Sequence, residues 1–151
     1  MTATAHALVG GAIAASVPDP TIGLTLSAAS HPIMDLIPHW DFGWGWRSKT
    51  KVKLFAQASF DLALGFILAY FLFGRYTNNF WYFMAAVFAS EIWDMLEAPY
   101  WFFNWRFPPF SWIYNIQHRL QGKVKLPWGI LTQVAVVIVV VIALQTLPTI
   151  R

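Results

Sequence analysis

WGILTQVAVVIVVVIALQTL, residues Trp128 to Leu147, decides the fold class. This run of Val, Ile and Ala carries no ionisable residue. Its length is what a helix needs to cross the hydrocarbon core of a bilayer, about 20 residues. The rest of the chain agrees with it. Of 151 residues, 58% are hydrophobic, 18% aromatic and only 11% charged, against about 25% charged in a soluble domain. Too few polar side chains remain to clothe a surface facing water. The expected fold is all-α: a polytopic membrane helical bundle of about five apolar helices, forming a single integral membrane domain over 1–151.

Four more apolar segments precede this one. Thr2–Val17, rich in Ala and Gly, ends at Pro18-Asp19-Pro20, and Thr21–Ile37 ends at Pro38. Both are short for a span, so the pair is expected to be tilted or to form a short hairpin. Pro32 should kink the second segment beside His31. Leu54–Phe73 leads into the turn Gly74–Asn79, and Phe80–Leu96 is expected to end at Pro99. Between Pro99 and Trp128 lie an aromatic stretch, Tyr100–Trp112, and a polar stretch, Ile113–Leu126, expected to hold a short surface helix. Ala7–Ala15 has the character of a signal-peptide core, but no Lys or Arg precedes it, so it is expected to be retained.

The chain has no cysteine. That excludes disulfides, thiolate zinc sites, iron–sulfur clusters and a cysteine nucleophile. The net charge of +3 sits in loops between apolar segments and is no sign of a nucleic-acid partner. With five spans, Arg47, Lys49, Lys51, Lys53, Arg106, Arg119, Lys123 and Lys125 share one side with the N-terminus, and Arg75 and Arg151 take the other. The positive-inside rule makes the crowded side cytoplasmic. The expected location is the inner membrane, with the N-terminus cytoplasmic and the C-terminus outside.

This topology gathers the ionisable groups. His6, His31, Asp35, His39, Asp41, Asp61, Glu91, Asp94, Glu97 and His118 all fall in or beside the inner leaflet; of the acids, Asp19 alone does not. His31 and Asp35 are four residues apart and share a helix face, with His39 and Asp41 just beyond. Glu91, Asp94 and Glu97 recur every three residues. Each carboxylate inside a membrane costs about 2.5–3.5 kcal/mol, which a bound cation would offset. His6, His31, Asp35, His39, Asp41 and Asp94 are the candidate ligands for one or two divalent metals. Such mixed nitrogen and oxygen donors suit zinc best, with manganese or iron as alternatives. Glu91 and Asp61 are the candidate catalytic groups. Asp61 could instead pair with Lys53 or Arg47, and Glu97 could simply be solvated. The tryptophans near this side exceed what an aromatic belt requires. Tyr100–Trp112 is expected to lie flat at headgroup level, where Arg106, His118 and Arg119 are candidate substrate-binding residues.

His6 at the head of a Gly/Ala-rich helix, followed by His31-x-x-x-Asp35-x-x-Pro38-His39-x-Asp41, resembles the LexA-regulated, membrane-bound metal-dependent hydrolases. The likeness covers roughly the first 60 residues, with Glu91 and Asp94 adding to it. The His-x-x-x-Asp pair also looks like one used by zinc-dependent phospholipases C. The resemblance implies metal-assisted hydrolysis; the residues alone imply a polar, metal-binding site in the inner leaflet. The expected function is a membrane-embedded metal-dependent hydrolase acting at headgroup level on a membrane lipid, with a phosphoester as the fitting substrate. A transporter of protons or divalent cations, or a structural membrane protein, are the alternatives. Oligomeric state is left open.

Overall fold

The computed structural model describes residues Met1–Thr146. Among them are seven α-helices and no strand: α1 Ala3–Ser16, α2 Pro20–Asp35, α3 Lys51–Leu72, α4 Phe80–Ser90, α5 Ile92–Phe103, α6 Phe110–Leu120 and α7 Trp128–Thr146. The segment expected to end at Leu147 is therefore followed as far as Thr146; Leu147 and Arg151 lie outside the described residues.

Each of the first four helices starts on a side chain suited to it. Thr2, Asp19, Thr50 and Asn79 each accept a hydrogen bond from an amide in the first turn of α1, α2, α3 and α4. Pro20 follows Asp19 at the first position of α2, where a missing amide costs nothing.

Among the described residues, two helices are long and apolar enough to cross a membrane: α3 with the turn after it, Lys51–Tyr76, and α7. The others fall short of the five spans expected. Helices α1 and α2 have 14 and 16 residues, and α4 only 11, or about 16 Å at 1.5 Å per residue. The segment read as Phe80–Leu96 is not continuous. It breaks at Glu91, where the chain turns and α5 begins. Nor does Pro99 end it: α5 passes through Pro99 and stops at Asn104, which takes the left-handed conformation (φ 55°) common at helix ends. The expected surface helix is present as α6, but it starts earlier and ends at Leu120, leaving Lys123 and Lys125 outside it.

Helix α1 is the centre of the packing, buried along most of its length against α2, α3, α4 and α7. Glycine makes the crossings close. A Cβ on Gly10 would stand 2.7 Å from Ser90 Oγ of α4, and one on Gly65 would stand 2.9 Å from Ala7 Cβ of α1. Two apolar clusters fill the space beside α1, one around Ala7, Phe73, Phe83 and Val87, the other around Val9, Ile13 and Met34. By contrast, Val52, Phe55, Phe60, Ile67 and Phe71 of α3, and Leu131, Val134, Ile138 and Ile142 of α7, present exposed apolar surface.

Candidate metal centre

Helix α1 brings His6, and α2 brings His31 and Asp35, to one buried point. All three are 3% exposed or less, and one ligand atom from each lies within 4.8 Å of the others. The His6 and His31 rings stack at 3.7 Å. Asp35 lies at the end of α2, where its two oxygens face His6, His31, His39 and the Met1 amine. Asp94, in the first turn of α5, adds a fourth group beside His31.

The backbone sets the tautomers. His31 Nδ1 lies 2.6 Å from the Ser90 carbonyl oxygen, and His39 Nδ1 lies 2.7 Å from that of Ile37. A carbonyl only accepts, so Nδ1 carries the proton in both rings. In the neutral imidazole Nε2 is then a lone pair, and it faces carboxylates. A lone pair opposite an anion needs a proton or a cation between them, and Asp35 Oδ1 already bonds the Met1 amine. The spacing is that of shared ligands: His6 Nε2 to Asp35 is 3.3 Å, His31 Nε2 to Asp35 and Asp94 is 3.6 and 3.4 Å, and His39 Nε2 to Asp35 and Asp41 is 3.6 Å each. A direct charged hydrogen bond is shorter, about 2.7–2.9 Å. Two ligands on a tetrahedral ion with bonds of 2.0–2.1 Å stand roughly 3.4 Å apart. Both nitrogens of His6, Nε2 of His31 and Oδ1 of Asp41 have no hydrogen-bond partner. Buried groups in that state are costly unless something else satisfies them. The donor set therefore fits a metal ion.

Beside this cluster is a cavity of about 280 Å³. Six carboxylates line it: Asp35, Asp41, Asp61, Glu91, Asp94 and Glu97. Leu54, Phe55, Leu62, Met95, Trp101 and Phe102 supply apolar wall. Glu91 is 1% exposed, and neither of its oxygens has a partner.

Two of the acids play parts the sequence did not indicate. Asp61 pairs with neither Lys53 nor Arg47. Its oxygens accept the Ala3 amide at 2.8 Å, the Thr4 amide at 3.1 Å and the Thr4 hydroxyl at 2.7 Å, so it holds the start of α1. Glu97 is not solvated. It is buried, and accepts Trp101 Nε1 at 2.5 Å and Gln117 Nε2 at 2.9 Å. Burial, then Asp94 nearby, pushes its carboxyl well above the usual range.

Arg106, His118 and Arg119 are exposed and do not line the cavity. Arg106 lies over Tyr100, and His118 stacks on Tyr114. The polar partners of the site are instead Ser90, Gln117 and Gln121. Gln117 and Gln121 are four residues apart at the end of α6, a spacing that marks one face, though a glutamine pair names no partner. Comparison with family models, with curated proteins and with solved structures finds no match.

Proposed function

We propose that this chain is a membrane-embedded, metal-dependent hydrolase that acts on an amphiphile, with a lipid phosphoester as the substrate class. The observation that carries the proposal is the set of buried imidazole Nε2 atoms standing 3.3–3.6 Å from Asp35 and Asp94, next to a cavity with an acidic end and an apolar wall. His6, His31, Asp35 and Asp94 hold the ion. Bound there, a divalent cation supplies a Lewis acid that polarises the scissile group and acidifies water. Glu91, with two unpartnered oxygens, takes a proton from the attacking water as general base. Asp61 positions α1, and through it His6.

The exposed apolar faces of α3 and α7 support a polytopic bundle in a bilayer, with α1, α2 and α4 reaching only part of the way across. Phe55 is 62% exposed and also lines the cavity. An acyl chain entering beside it from lipid would bring its polar end to the carboxylates. Their negative charge would repel a phosphoester without a cation, and neither Arg106 nor Arg119 lines the cavity to supply one. The inner membrane, a cytoplasmic N-terminus and kinship with the LexA-regulated hydrolases belong to the same proposal.

The test is hydrolysis of phosphoester lipids by the purified protein in nanodiscs, after chelation and metal add-back. Activity that returns with metal and is lost in His31→Ala and Asp35→Ala is expected. Metal-driven ion flux in proteoliposomes without hydrolysis would replace the proposal with a transporter, and a metal-free, chelator-insensitive protein with a structural role.

A further inference from the structure

We infer that the cavity beside the metal centre receives the head of a zwitterionic phospholipid, its ammonium held at the corner formed by Asp41, Gly43 and Trp101. The inference rests on the hydrolase reading above and narrows its substrate class. No lysine or arginine is among the residues that line this cavity, and six carboxylates are. The Met1 amine is there too, but it bonds Asp35. An ion on His6, His31, Asp35 and Asp94 would answer only part of the negative charge. Asp41 stands apart from the mutually close group of His6, His31 and Asp35. It is 8% exposed, and its Oδ1 has no hydrogen-bond partner. A buried carboxylate oxygen in that state calls for a donor.

The corner suits a cation of this kind. Gln121 donates to Asp41 Oδ2 at 2.7 Å, which fixes the carboxylate and leaves Oδ1 over. A Cβ on Gly43 would stand 2.9 Å from that Oδ1 and 2.6 Å from Cη2 of the Trp101 indole. The oxygen and the ring therefore flank one point of the cavity wall, and glycine keeps that point open. Glu97 accepts the indole Nε1–H and Trp46 stacks on the ring at 5.3 Å, so Trp101 is held in place from two sides. Phe42, Phe55 and Phe102 continue the aromatic lining. Rings beside a carboxylate bind alkylammonium groups, because the ring quadrupole attracts a cation that has lost its water. Lys49 does not compete for Asp41: its ammonium donates to the Phe42 carbonyl at 2.6 Å and to Gln57 Oε1 at 3.0 Å. His39 Nε2 is 3.6 Å from both Asp35 Oδ1 and Asp41 Oδ2, so a single imidazole separates this corner from the metal ligands. A phosphate at the ion and an ammonium beside Asp41 thus belong to one head group.

The experiment uses the full chain in nanodiscs holding phosphatidylcholine, phosphatidylethanolamine and phosphatidylglycerol in equal amounts. Lipid retained by the chelated protein is read by native mass spectrometry, and hydrolysis is followed after metal add-back. Wild type is expected to retain and hydrolyse the zwitterionic lipids in preference to phosphatidylglycerol by about tenfold, the scale of a desolvated cation–π contact. Asp41→Asn and Trp101→Leu should lose that preference with bound metal unchanged. The comparison of lipids in wild type needs no variant to fold. Hydrolysis of all three lipids at one rate would overturn the ammonium corner and leave the hydrolase standing. Selective retention of zwitterionic lipid without hydrolysis would keep the corner and overturn the hydrolase. A preference that persists in both variants would remove Asp41 and Trp101 from the head-group site, and neither selective retention nor hydrolysis would overturn both readings.

Discussion

Asp61, in the apolar helix α3, accepts the Thr4 hydroxyl at 2.7 Å and the Thr4 amide at 3.1 Å, so a carboxylate on one helix caps another. Gly65 lies one turn further on and lets α1 approach closely enough for this. Asp61→Ala should leave the Ala3 and Thr4 donors unsatisfied and cost about 1–3 kcal/mol. Thermal unfolding in detergent should show the loss, with Asp61→Asn falling between it and wild type. An unchanged melting temperature in Asp61→Ala would mean that the cap contributes nothing.

Metal affinity should depend on His6 and His31 together. Replacing either by Ala is expected to weaken binding by more than the ~10–100-fold that losing an outer-shell partner costs. Zinc retained through gel filtration, measured by mass spectrometry, reads this directly. Full retention in both variants would remove these histidines from the ligand set.

Gly10→Val should do two things at once. The new side chain would meet Ser90 Oγ and Cβ, and overpacking of this kind costs about 1–3 kcal/mol. The shift of Ser90 would also take its carbonyl away from His31 Nδ1. A lower melting temperature accompanied by weaker zinc binding is expected. Loss of stability with unchanged affinity would show that the Ser90 carbonyl does not position His31.

The cavity can be filled without touching a donor. Ala58 and Leu62 both line it, and Ala58→Trp or Leu62→Trp should abolish lipid hydrolysis while leaving bound metal unchanged. Full activity in both variants would move the substrate elsewhere.

The relations legible in the sequence are local ones. His31 and Asp35 share a face because four residues make about one helical turn. The break at Glu91 was not legible. Ser90 gives its carbonyl to His31, 59 residues away, and nothing within Phe80–Leu96 records that demand. Glu97 near the end of an apolar run reads as solvated until α6 folds back and Gln117 covers it.

The sequence by itself determined that this chain is helical and apolar, and that His31 and Asp35 share one face of a helix. Composition and spacing along a helix suffice for that. Only the tertiary structure decided which acids face a histidine lone pair and which cap a helix or bond a glutamine. A carboxylate takes its role from the donors that reach it, and here those donors come from distant elements: α1 for Asp61, α6 for Glu97, and α1, α2 and the chain beyond α2 for Asp35.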